Sequence, residues 1–245
     1  MLVAVGAPEP PLFELEDVVI DLGDVRPLDG VSLRLSGEGI TVILGQSGSG
    51  KSTLLRLLNR LEVPTSGSVR FRGRDLDELD PLELRRHVGM VFQRPTLFPG
   101  TVRDNLRFAV PDADDDALAD VLSRVGLDRT FLDRVGDDLS GGEAQRACLA
   151  RSLVAEPEVV LMDEVTSSLD PRGARLLEER TLDLVRGGVP VLWVTHDLDQ
   201  AMRLDHDPVV LVDGRLATDE ERARFLERQG DDHPAGSAAG DGEAT

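Results

Sequence analysis

Eight consecutive residues carry the clearest chemistry in this chain: Gly45-Gln46-Ser47-Gly48-Ser49-Gly50-Lys51-Ser52. They follow the spacing G-x-x-x-x-G-K-[ST] between an apolar run and an amphipathic one. Glycines at those positions let successive backbone N–H groups curl inward, and a helix beginning near Lys51 turns its positive end to the same point. The group such a cradle suits is a polyphosphate. Lys51 would reach the outer phosphates of a nucleotide such as ATP, Ser52 would ligate Mg²⁺, and Thr53 joins the same binding set. Lys51 is also the sole lysine among 27 basic residues. A chain that otherwise uses arginine has its compact point charge where a wide planar fork would not fit.

Val159-Val160-Leu161-Met162-Asp163-Glu164 supplies a second element, an apolar run ending in two carboxylates. Asp163 can hold Mg²⁺ through water, and Glu164 can orient or deprotonate an attacking water. An acidic pair after a strand is more often a solvated strand end, and the phosphate loop reverses that reading. Kinases, GTPases and motor ATPases all fit these two motifs.

Leu139-Ser140-Gly141-Gly142-Glu143-Ala144-Gln145-Arg146 decides among them. It resembles the signature motif of the ATP-binding-cassette (ABC) family, and the resemblance spans residues 12 to about 228. The same string is also a capping box, with Glu143 three residues after Ser140. The resemblance implies that Ser140, Gly141 and Gly142 close over the γ-phosphate held by an opposite subunit. It implies that Gln93 senses Mg²⁺ and the membrane partner, that Ser167-Ser168-Leu169-Asp170 couples two ATP sites, and that His196 contacts the γ-phosphate. Two positions depart from the family pattern. Leu22 stands where an aromatic residue usually stacks on adenine, and Val165 stands where many members have proline.

The implied function is an ATP-hydrolysing subunit of an ABC transporter, paired with a second copy and a separate integral membrane permease. A soluble, non-transport ABC ATPase is the rival. Thr96-Leu97-Phe98, Thr101–Leu106 and Val191–Asp197 resemble metal (iron) exporter ATPases most closely, with phosphate-type importers second. Pro95 to Leu106 is the expected docking segment for the permease.

The elements that must position these residues read as α/β: a RecA-like parallel core, a small antiparallel β piece and a helical subdomain. Leu12–Glu16 and Val31–Leu35 alternate apolar and polar, as strands with one solvated face do. Ile40–Leu44, Val159–Met162 and Val189–Val194 read as buried parallel strands. Leu54, Leu57, Leu58 and Leu61 recur at helical spacing. Ser66–Gly73 and His87–Phe92 read as short strands, and residues 94–157 as mainly helical. Val209–Val212 with Asp213-Gly214 reads as a hairpin, grouped with the antiparallel piece. The cassette is expected over 12–228, with a disordered acidic tail at 229–245.

Composition narrows the setting. The net charge is −19, from 46 acidic against 27 basic residues. Such a field opposes nucleic acid and anionic lipid as partners, and suggests a salt-rich cytoplasm. No apolar run is long enough to span a membrane, the N-terminus lacks a signal peptide's pattern, and the lone Cys148 allows no internal disulfide. The expected location is the cytoplasm, peripheral to the membrane and not inserted in it.

Overall fold

The computed structural model describes residues 11–231, with nothing to say of the side chains beyond residue 227. In chain order the first half comprises β1 (Phe13–Ile20), β2 (Leu28–Leu35), β3 (Ile40–Leu44), helix α1 (Lys51–Leu58), β4 (Ser66–Phe71) and β5 (Arg74–Asp75). Then come α2 (Pro81–His87), β6 (Val88–Val91), α3 (Val102–Ala109), α4 (Asp115–Arg124) and α5 (Gly141–Leu153). The rest comprises β7 (Val159–Asp163), α6 (Pro171–Arg186), β8 (Val191–Thr195), α7 (Leu198–Leu204), β9 (Val209–Val212), β10 (Arg215–Leu216) and α8 (Asp219–Asp231).

Two kinds of hydrophobic pattern give two sheets. The alternating strands form an antiparallel sheet in the order β2-β1-β4-β5. Its inward set on β1 is Phe13, Leu15, Val18 and Ile20, so the parity switches midway. A bulge causes the switch: pairing with β2 shifts register between Leu15 and Val18, where Asp17 has a φ of 48°. One extra residue moves every later side chain to the other face.

The continuous apolar runs form the second sheet, in the order β10-β9-β3-β8-β7-β6. Every pairing in it is parallel except β9 with β10. All residues of β7 and β8 are buried, as a sheet covered on both faces requires. Alternate residues split between two cores. Val42, Leu44, Val160, Met162 and Trp193 face the core shared with α5, α6 and the helical region. Ile43, Leu161, Leu192 and Val194 face α1 and the antiparallel sheet. On α1, Leu54, Leu55, Leu57 and Leu58 are buried, each worth ~1.5–3 kcal/mol on removal from water.

Several expectations change. β9 lies beside β3 in the parallel sheet (Ile43↔Val209), and only β10 runs antiparallel to it. Its Val210 and Leu211 are buried, which suits a core strand better than a half-solvated one. The hairpin turn itself is as read, with Asp213 and Gly214 both at positive φ. Leu61 is not on a helical face: α1 ends at Leu58, Arg60 turns left-handed at φ 55°, and Leu61 is exposed. His87 closes α2 and does not open β6; Asp80 caps that helix ahead of Pro81. The 16-residue α6 is not among the expected elements. Its N-terminal signal was present, because Asp170 caps it and Pro171 follows. Helix α8 carries through Asp231, so the expected tail begins inside it, and 232–245 lie outside the described residues. Among the described residues no helix is long and apolar enough to cross a membrane.

Candidate functional site

Parallel strands bring their carboxyl ends to one edge, and four of them deliver the candidate residues there. β3 leads into the glycine loop, β6 into Gln93, β7 ends on Asp163, and β8 leads into His196.

The loop is tight for a steric reason. A Cβ on Gly45 would sit 2.4 Å from the Leu211 carbonyl oxygen. One on Gly50 would sit 2.1 Å from that of Pro27, and Gly50 caps α1 at φ 101°. Only glycine fits at either place. Gln46, Ser47 and Gly48 form the exposed crest, while Gly45, Ser49 and Gly50 are buried. The Ser49 Oγ is buried without a partner, Thr53 is half-buried on α1, and Lys51 is 4% exposed. The Lys51 Nζ donates to the Gly45 and Gln46 carbonyls at 2.8 Å each and lies 3.4 Å from Glu164 Oε1. Burial pulls the Lys51 ammonium below its ordinary range, against the pull of Glu164.

Ser52 Oγ donates to Asp163 Oδ1 at 2.7 Å. Burial pushes the Asp163 carboxyl above its usual range, and the Ser52 hydrogen bond opposes it. Glu164 sits at φ 44°, a left-handed turn directly after β7, with its N–H donated to the Val194 carbonyl at 3.1 Å. That turn aims the carboxylate back over the loop. Gln93 Nε2 donates to Glu164 Oε2 at 3.3 Å, and His196 Nδ1 lies 3.2 Å from the same oxygen. Gln93 Nε2 also donates at 3.2 Å to the Oγ of Ser167, the first residue of the expected coupling loop. A turn three residues after Glu164 brings Ser167 back beside it (Ser167 N–H to Glu164 carbonyl, 3.0 Å).

The structure thus brings Gly45–Ser52, Gln93, Asp163, Glu164 and His196 together. Ser140, Gly141 and Gly142 lie elsewhere, at the start of α5. There Ser140 Oγ accepts from the Glu143 N–H, and Glu143 Oε2 accepts from the Ser140 N–H at 2.8 Å. Among the described residues no hydrogen bond joins that turn to the glycine loop. Asp170 caps α6, accepting from the Gly173 N–H at 2.7 Å. Leu22 is exposed in the turn after β1, and the same loop passes over Gly50 at Pro27. Of the expected docking segment, Val102 and Leu106 are fully buried, and Leu97 packs against the same core. Phe98 is exposed and pairs with exposed Phe108, ring centroids 4.4 Å apart, with Arg151 over the Phe98 ring.

Ser52 and Asp163 are hard oxygen donors in contact. Among the described residues no group of three or more His, Cys, Asp or Glu could hold a metal by itself. That donor set fits Mg²⁺, which takes few protein ligands and completes its shell with phosphate and water.

A glycine loop opening a helix, with strand-end carboxylates beside it on a parallel sheet, defines a P-loop nucleoside triphosphatase. The model of the ABC transporter family matches residues 28–167, more than half of the chain, and the chain belongs to that family. It is an ATP-binding and ATP-hydrolysing subunit of that kind. Phosphate import ATP-binding protein PstB 3 of Natronomonas pharaonis is 36% identical, covering 92% of this chain and 87% of that protein. ABC transporter I family member 17 of Arabidopsis thaliana is 41% identical, covering 78% and 74% respectively. The structure of cbiO1 from Clostridium perfringens, part of the ABC transporter complex cbiONQ, superposes with a TM-score of 0.79 at 28% identity. It covers 91% of this chain, which in turn covers 93% of it.

Proposed function

We propose that two copies of this chain, arranged head to tail, hold ATP between them and hydrolyse it to drive a separate membrane permease. The observation that carries the reading is the Glu164 carboxylate, held over the glycine loop by Lys51, Gln93 and His196 together. Glu164 is the base that takes a proton from the attacking water. Lys51, buried against the glycine loop, would turn its ammonium to the γ-phosphate once the nucleotide is bound. His196 steadies Glu164 and reaches the same phosphate. Ser52, Asp163 and Gln93 would hold Mg²⁺, whose charge draws electron density from the β- and γ-phosphate oxygens. Leu22 faces adenine.

The capped start of α5 would supply N–H donors to the ATP of the other copy. Its separation from the glycine loop of its own chain supports that arrangement, since the two halves then meet only across a pair. Asp170, at the start of α6, would lie in the loop that couples the two sites. The exposed Phe92, next to Gln93 in the chain, Phe98, on the segment that follows, and Phe108, paired with Phe98, would receive the permease. Docked in this way, the subunit would sit on the cytoplasmic face of the membrane.

The cargo has two readings. The 36% identity to a phosphate import protein across nearly the whole chain favours phosphate-type import. The Thr96–Phe98 and Val191–Asp197 strings favour metal export. The deciding experiment is ATPase activity of the subunit with its permease in vesicles. Stimulation by a phosphate-loaded binding protein supports import, and full activity without any binding protein supports export. For the pairing, Glu164→Gln with ATP and Mg²⁺ should sediment as a dimer, and adding Gly142→Asp should return it to monomer. A monomer in the first case would sink the head-to-tail arrangement.

A further inference from the structure

Beneath Glu164 and His196 runs a set of buried polar groups with no part in the nucleotide reading. Trp193 of β8 is fully buried, and its indole Nε1 donates to Gln200 Oε1 at 3.1 Å. Gln200 on α7 is 3% exposed. Its Nε2 donates to Glu178 Oε1 at 2.7 Å and to Thr166 Oγ1 at 2.9 Å. Glu178, buried on α6, is bonded in turn by Arg203 at 3.1 and 3.3 Å. Thr166 follows Glu164 by two residues, and Trp193 precedes His196 by three. Thr166, Glu178, Gln200 and Arg203 help to line a cleft of about 340 Å³ whose walls also include Glu164 and His196.

The chemistry fixes which way the amide points. An indole N–H only donates and a carboxylate only accepts, so the Gln200 oxygen must face Trp193 and its NH₂ must face Glu178. The position of Gln200 is equally specific. It is the third residue of a helix capped by Asp197, where a glutamine ordinarily reaches back to the cap N–H. Here Thr195 Oγ1 accepts that N–H at 3.0 Å, and the Gln200 side chain is free to turn inward.

We propose that Gln200 is a positioning residue whose amide ties the turn carrying Glu164 to the strand end carrying His196, with Trp193 reporting the state of that tie. The proposal rests on the roles given above to Glu164 and His196. A left-handed glutamate is a strained turn, and such turns persist where the surroundings over-determine them. The Glu164 N–H to Val194 bond is one constraint. The Thr166–Gln200 bond is a second, anchored on α6 through Glu178.

The test uses the chain's only tryptophan in a sequence without tyrosine, so intrinsic emission reads this one place. Thr166→Val should lower kcat for ATP about tenfold with KM within about twofold, because a small misplacement of a catalytic group costs rate more than binding. Gln200→Leu should do the same, and Thr166→Ser should restore near-normal turnover. In a Glu164→Gln background, ATP with Mg²⁺ should shift Trp193 emission, and adding Thr166→Val should abolish the shift. Should Gln200→Leu not fold, the Thr166 pair carries the test alone. Turnover within about twofold of normal in Thr166→Val, or an emission response that survives it, overturns the proposal. Failure of the underlying reading looks different: Glu164→Gln alone would still hydrolyse ATP.

Discussion

On the helical side of the molecule Arg103 bonds both Asp115 and Asp133, and Arg107 bonds Asp115 as well. At the end of β7, Lys51 lies beside Glu164, and Asp163 is bonded by Ser52. Both are clusters of charge, yet the fold acts on them in opposite senses. Hydrogen bonds from Arg103 hold the Asp115 carboxyl below its ordinary range, and the same bonds push Arg103 upward. In the other cluster burial prevails: Lys51 is pulled down and Asp163 pushed up, despite their partners. A carboxyl with a raised pKa costs stability once pH exceeds its unfolded value, and an amine with a lowered one costs stability below its unfolded value. At neutral pH both charges of the β7 cluster therefore oppose folding, while those of the helical cluster support it. Charges kept at a cost suit a site that binds opposite charge, here a polyphosphate and its cation.

The largest effect should separate the clusters outright. Glu164→Gln keeps shape and loses the base, so steady-state ATP hydrolysis should fall by roughly 10²–10⁴. A fall of only a few-fold would remove Glu164 from its role and leave the comparison without its chemistry. Next, Lys51→Arg should weaken ATP binding about as much as Lys51→Ala, at least tenfold or ~1.4 kcal/mol by titration. An arginine variant with normal affinity would mean that charge alone suffices in the glycine ring.

Salt tests the surface as a whole. Between ~0.1 and ~1 M the Debye length shrinks from ~10 to ~3 Å, so repulsion within a net charge of −19 is screened and melting should rise by many degrees. A flat response would end the salt-adaptation reading and leave the ATPase untouched. Smaller still, Asp115→Asn should lower Tm by no more than about 2–4 °C and leave ATP hydrolysis unchanged, since exposed pairs add little. A larger loss would show the helical cluster to be structural in its own right.

The smallest effect concerns pH. Glu221 is held at about 2 by Arg215 and by the Thr218 N–H, against an ordinary 4.5. Its contribution is complete above 4.5 and fades as pH falls from there toward 2. Melting curves of Glu221→Gln should be flatter over that window, and an unchanged slope would mean that the pair does not tether α8.

Much of the site was legible because its signals are local. The glycine spacing, the carboxylates ending β7 and the Ser140–Glu143 capping box each lie within eight residues. The parts that escaped depend on contacts between distant segments. Gln200 reads as an ordinary residue of a short helix until Trp193, Thr166 and Glu178 are brought to it. The bulge at Asp17 shows only as a change of parity in the apolar pattern of β1. Val209–Val212 was readable as a strand, but its neighbour was not, since nothing local records that β3 has an open edge. Val102 and Phe98 look alike in sequence and part company only in the folded chain, where one enters the core and the other stays exposed.

One consequence of the glycine loop bears on handling the protein. Lys51 is the only lysine in 245 residues, and its ammonium is buried and bonded to two carbonyls. A lysine-specific protease therefore has a single bond to cut, the one that leads from Lys51 into Ser52 at the start of α1. Amine-directed acylation has one side chain to find, at the same place. The fraction of chains cut at that bond, or acylated at that side chain, would gauge how often this loop comes undone, with no other lysine to blur the reading.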